Sequence, residues 1–172
     1  MPTVQDRPDS TGDPLKSVAS TLVPAANCVA IGLYTRMLKD FPWLSRVKTD
    51  DWDFFLTIAF VFVAMTQLEH EGLPQSRVDA IIDIVTASFT EWQPDALGAF
   101  DDCKAFYEQG SSDQELRVAY AGDQARFHSA DVIAMWLVWN LLKRRATEQD
   151  ELRVARERGS IAAHEFTKWW RS

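Results

Sequence analysis

Apolar side chains recur along this chain at three- and four-residue intervals, the period of a helix with one face turned inward. The first such stretch predicts a helix over about Pro14 to Leu38. Leu15, Val18, Ala19, Leu22, Ala26, Val29, Ala30, Leu33 and Met37 would share its inner face. Pro24 lacks a backbone donor, so a kink or a fresh start is expected there, and Phe41–Pro42 should end the element. A second helix is expected from just after Thr49, with the Thr49 hydroxyl as cap and Asp50, Asp51 and Asp53 favouring its N-terminal dipole. It should stop at Gly72 in a left-handed cap. The third begins at Pro74 and shows the stripe Val78, Ile81, Ile82, Val85, Phe89, Trp92, with Asp79 and Asp83 opposite. The fourth opens at Pro94; Leu97, Phe100, Cys103 and Phe106 point inward while Asp101, Asp102 and Lys104 meet water.

Gly110–Ser111 reads as a break, after which Ser112 and Glu115 form a capping box. The helix beyond extends toward Arg145, with Lys143, Arg144 and Arg145 suiting its C-terminal dipole. A last helix follows from Thr147, using Leu152, Ala155, Ala162, Phe166 and Trp169. No segment alternates with a period of two, and no Asn-Gly or Asp-Gly hairpin turn occurs. The expected fold is therefore an all-α single domain of six or seven helices. Two of them contain eight consecutive apolar residues, Ile58 to Met65 and Val132 to Trp139. Helices without a polar side belong inside protein, so these two are expected at the centre of the bundle.

Residues 1–13 are polar and carry Pro2, Pro8, Gly12 and three aspartates. Such a stretch buries too little to offset its ordering entropy and reads as a flexible tail ahead of a domain over 14–172. Ser17–Thr35 holds no charge, but Pro24, Asn27 and Gly32 interrupt it and no basic region precedes it, unlike a signal peptide. Phe54–Leu68 also lacks charge, yet at 15 residues it falls short of the roughly 20 needed to cross a bilayer. No membrane role is expected. With 172 residues and two cysteines the chain needs no disulfide staple, which suits a reducing, cytoplasmic setting.

Charge narrows the partners. The net charge is −7, with ten basic and twenty acidic side chains over residues 1–131 and eight and five over 132–172. Phosphate neutralisation needs a basic face, so nucleic acid is not an expected partner. The bases from Lys143 to Arg158 are interleaved with acids, as on a salt-bridged solvent face. An acidic surface instead maintains solubility and attracts basic protein.

Candidate chemistry is sparse. His70 lies between Glu69 and Glu71, and adjacent helical residues diverge too far to chelate together. No Glu-x-x-His or His-Glu-x-x-His pair is present, and the glycines are scattered rather than gathered into a phosphate loop. No metal or cofactor is therefore expected. His128 and Asp131 stand three apart, the beginning of a general base, but no nucleophile accompanies them. Cys28 and Cys103 fall on apolar stripes without neighbouring bases.

Seven Trp, ten Phe and three Tyr form a heavy aromatic load. Trp136 and Trp139, with His128, Asp131 and Asn140 as polar handles, are candidates for an inter-helix pocket taking an apolar or aromatic ligand. Trp43 beside Pro42, and Trp169 and Trp170 near the C-terminal end, are candidate interface residues; the alternative is that they fold back over the core. The leading expectation is a non-enzymatic protein that binds a basic protein partner or a second copy of itself. Small acidic helical proteins that neutralise a basic toxin, the immunity proteins and antitoxins, have this composition, as do adaptors. The alternative is a small-molecule-binding or enzymatic helical domain built on the Trp136 pocket.

Overall fold

A computed structural model describes residues 13–112, 129–144, 166 and 168–171. The protein is all-α. Among the described residues there is no strand, and there are five α-helices: α1 (Pro14–Asp40), α2 (Thr49–Leu68), α3 (Gln75–Trp92), α4 (Ala96–Ser112) and α5 (Ser129–Leu142). Short 3-10 turns cover Pro42–Arg46, Glu69–Glu71 and Trp169–Arg171. Sequence periodicity predicted six or seven helices. The last, from Thr147, falls outside the described residues apart from Phe166 and the closing turn.

α1 starts where Asp13 caps it: the carboxylate accepts from the Leu15 amide at 3.1 Å. The same carboxylate takes two hydrogen bonds from Arg77 on α3, at 3.0 and 2.5 Å. Asp13 thus belongs to the folded unit although it closes the segment read as a tail. Arg77, foremost, and the Leu15 amide hold its carboxyl below the usual aspartate range. α1 then runs unbroken through Pro24, which is exposed and leaves only the Ser20 carbonyl without its helical donor. Its inner face is Ala19, Leu22, Val23, Ala26, Ala30 and Met37. Val29, assigned inward by periodicity, is instead exposed.

The Thr49 cap is corrected as well. Lys48 occupies the N-cap position, no side chain caps the helix, and Thr49 is its first residue. α2 is buried without interruption from Leu56 to Ala64. Thr57 is the one fully buried polar side chain among the described residues. Its hydroxyl donates to the Asp53 carbonyl at 2.6 Å and accepts from Asn27 Nδ2 at 3.2 Å, so the polar group is satisfied and ties α2 to α1. Trp52 adds a second tie, its indole donating to the Ala30 carbonyl at 3.0 Å. The helix ends through Glu69–Glu71 at Gly72, whose φ of 67° supplies the left-handed cap that glycine adopts without strain.

α2 packs against α1, α4 and α5, while α3 covers α1 and α4. The α3 stripe is buried at Ile81, Val85 and Phe89, but Ile82 turns outward. The break expected at Gly110–Ser111 is absent, because α4 continues to Ser112. Gly110 serves a different purpose: it is buried, and a Cβ placed on it would lie 2.7 Å from Val132 Cγ1 on α5. The missing side chain lets the two helices approach. α5 ends at Leu142, short of Arg145, because Lys143 adopts a left-handed φ of 56°. Its ammonium sits 4.9 Å from the centre of the Phe55 ring, a cation–aromatic contact that favours this ending.

Gly110→Ala should therefore destabilise the protein. Overpacking against a stiff, buried valine costs about 1–3 kcal/mol, exceeding the helix-propensity gain of about 1 kcal/mol. Val132→Ala should relieve the clash, and urea unfolding of both single variants and the double variant would report a coupling energy between the sites.

Candidate functional site

The residues assigned to an inter-helix pocket are placed differently from one another. Trp136 is fully buried, with its indole donating to Asp102 Oδ2 on α4 at 2.7 Å. Its ring meets Phe55 edge-on, centroids 5.7 Å apart. Asn140 is half-buried, and its amide donates to the Trp136 carbonyl one turn back at 2.9 Å. Trp139 is 45% exposed and stands in water. The structure brings Trp136 and Asn140 together but directs Trp139 outward. Asp131 lies on α5 with its side chain outside the described residues, and His128 lies outside them altogether.

The candidate interface tryptophans also separate. Trp43 is half-buried in the turn after α1, and its indole nitrogen has no hydrogen-bond partner among the described residues. Trp169 is half-buried and stacks on Phe166, centroids 5.9 Å apart. Trp170 is 7% exposed and donates its indole proton to the Ala64 carbonyl of α2 at 2.7 Å. It occupies the core rather than the surface.

The two thiols differ as sharply. Cys28 is exposed on α1 and Cys103 is buried on α4; both are free. Burial first, and the neighbouring Asp102 second, push the Cys103 thiol far above its ordinary range, which removes its nucleophilic form at neutral pH. His70 is exposed in the turn after α2. Among the described residues no three His, Cys, Asp or Glu side chains gather to hold a metal ion.

What the helices present outward is mostly acidic. Asp79, Asp83, Glu91, Asp95 and Asp101 are all exposed along α3 and α4. The bases over the same span are Arg77 and Lys104, and Arg77 is already ion-paired with Asp13. Ile82, 42% exposed, sits within this field, one turn from Asp79 and next to Asp83. Sequence periodicity counted Ile82 inward, so it missed this residue. The detectable signal was that Ile81 and Ile82 cannot both occupy a narrow inner stripe on one helix.

α1 carries a second kind of surface. Ile31 is 53% exposed and Val29 36%, on different sides of a helical stretch that holds no charge between Lys16 and Arg36. Pro14–Asp40 and Thr49–Glu71 are both long and apolar enough to cross a membrane. The apolar window of the second is 61% buried inside the fold and that of the first 28%. The 15-residue uncharged stretch read from the sequence understates the second, because its helix begins earlier and ends later.

Compared with known protein families, curated proteins and solved structures, the chain matches none.

Two measurements check this geometry. Asp102→Ala should orphan the buried Trp136 indole and lower stability by about 1–3 kcal/mol in chemical denaturation. Asp102→Asn, which keeps an oxygen in place, should lose less. A thiol-specific chromophore should label one cysteine per native chain, Cys28, and reach Cys103 only after denaturation.

Proposed function

We propose that this protein is a non-enzymatic, acidic helical binding protein that recognises a basic protein partner through the outer face of α3 and α4. The observation that carries the reading is Ile82 exposed between Asp79 and Asp83. An apolar anchor rimmed by like charge suits a partner that offers a cleft bordered by Lys or Arg. Anchor and rim have different tasks, since apolar contact supplies most of the affinity while charge accelerates encounter and sets salt dependence.

The same reading assigns the interior. α2 and α5 form the apolar centre of a six- or seven-helix bundle, and the amphipathic helices around them leave their outer faces for recognition. Support comes from the uninterrupted burial of α2 and from seven described α5 positions that are also buried. Two unbridged cysteines accord with a cytoplasmic setting, and the burial of α2 by protein accords with a role away from the bilayer. Neutralisation of a basic toxin, as by an immunity protein or antitoxin, is one role of this kind; an adaptor is another. The small-molecule alternative has less support, because the Trp136 indole already has Asp102 as its partner.

Affinity purification from the native host tests the proposal. The wild-type chain should retain a stoichiometric basic protein that elutes as salt is raised. Ile82→Asp should weaken that complex by about thirtyfold or more, the effect of losing a central anchor. Asp79→Lys with Asp83→Lys should slow association and flatten the salt dependence. A complex indifferent to all three changes, or no complex at all, would remove the proposal.

A further inference from the structure

The first turns of α1 are fastened to the protein differently from the turns that follow. Their outer end is held by polar bonds. The Asp13 carboxylate accepts from the Leu15 amide and receives Arg77 of α3 on both oxygens, Nε on Oδ2 at 3.0 Å and Nη2 on Oδ1 at 2.5 Å. Their inner end is a weak place in the helix. Pro24 supplies no amide to the Ser20 carbonyl. Just before it, the Ser20 hydroxyl donates to the Ser17 carbonyl at 2.7 Å and the Thr21 hydroxyl to the Val18 carbonyl at 2.9 Å. Such back-bonds compete with the helical ladder and let a helix bend. Ser20, Thr21 and Pro24 are all exposed, so water reaches the site of the missing bond. Between these two ends, Leu15 and Val18 are half-buried and Ala19 is the one enclosed side chain. Past the weak place the helix is held far more firmly. Ala26 and Ala30 are enclosed, Asn27 bonds Thr57, and the Ala30 carbonyl accepts from Trp52.

We propose that residues 14–21 form a strap that opens from α3 by bending between Ser20 and Pro24 while the rest of α1 stays docked on α2, and that the Asp13–Arg77 pair is its latch. A separate opening unit arises where buried contact is thin and the hydrogen-bond ladder is interrupted, and both conditions meet here. Opening bares Leu15, Val18 and Ala19 to water. It leaves α2 undisturbed, because the side-chain bonds that tie α2 to α1 both lie past the bend. The latch joins the first turn of α1 to the first turn of α3, so its strength sets how often the strap lifts. This inference goes beyond the recognition face of α3 and α4 and does not depend on it.

Hydrogen exchange resolved by residue on the full-length chain tests it. Asp13→Ala should speed exchange over residues 16–21 about tenfold, the joint effect of a lost helix cap and a lost, partly exposed ion pair. Residues 26–35 should be unchanged. Arg77→Gln, which spares the cap, should give about threefold over the same first residues. Pro24→Ala returns a donor to the Ser20 carbonyl, so in that background the effect of Asp13→Ala should fall by at least about half. An acceleration running evenly from residue 16 to residue 35 would mean that α1 opens as one piece, and would overturn the proposal. So would unchanged exchange over residues 16–21 in both latch variants, or an undiminished effect in the Pro24→Ala background. Should Asp13→Ala fail to fold, Arg77→Gln alone makes the same comparisons.

Discussion

The enclosure of α2 is the constraint on which the remaining arrangement depends. From Leu56 to Ala64 this helix turns apolar or internally satisfied side chains in every direction, and all of them are buried. Each large side chain so enclosed contributes about 1.5–3 kcal/mol, and no orientation of the helix could shelter only half of them. α1, α4 and α5 must therefore all lie against it, and they do. Small residues make the approach close. Ala19, Ala26 and Ala30 line the buried face of α1, and Gly110 lets α4 and α5 come together at Val132.

Three of the buried indoles around that helix follow a second rule, that an enclosed indole gains by donating its proton. Trp52 finds the Ala30 carbonyl and Trp170 the Ala64 carbonyl, each on a neighbouring helix whose small side chain lets the ring in. Trp136 finds the carboxylate of Asp102. These bonds are directional where the apolar contacts are not. They fix the rotation of one helix against another, with the Asn27–Thr57 bond doing the same between α1 and α2. Charge is left to the exterior, where the α3–α4 face collects acids and a single exposed isoleucine.

Function, on the reading advanced above, belongs to that exterior. The buried thiol of Cys103 is held protonated and the Trp136 indole is committed to a structural bond, so two of the polar groups with chemical potential serve the fold. The acidic face and the packing of Phe166 and Trp170 on α2 are separate features: one presents charge outward, and the other closes the apolar interior.

Helical character, the course of α3, the glycine stop at Gly72 and the acidic balance could all be read from order and composition alone. Each depends on near neighbours: a three-to-four period, a left-handed position that suits glycine, a sum of charges. The sequence also marked Trp136 and Trp170 as notable, but not their partners, since Asp102 and Ala64 lie far away along the chain. For the same reason Gly110 read as a break, when its bare backbone is demanded by a valine on another helix. Ile81 and Ile82 are equally apolar, and only the position of α3 against α1 and α4 decided which would be covered. Local periodicity specifies that a face will be buried. Which residues at its margin remain outside, and which polar atoms meet across the interior, depends on distances between elements that no linear pattern contains.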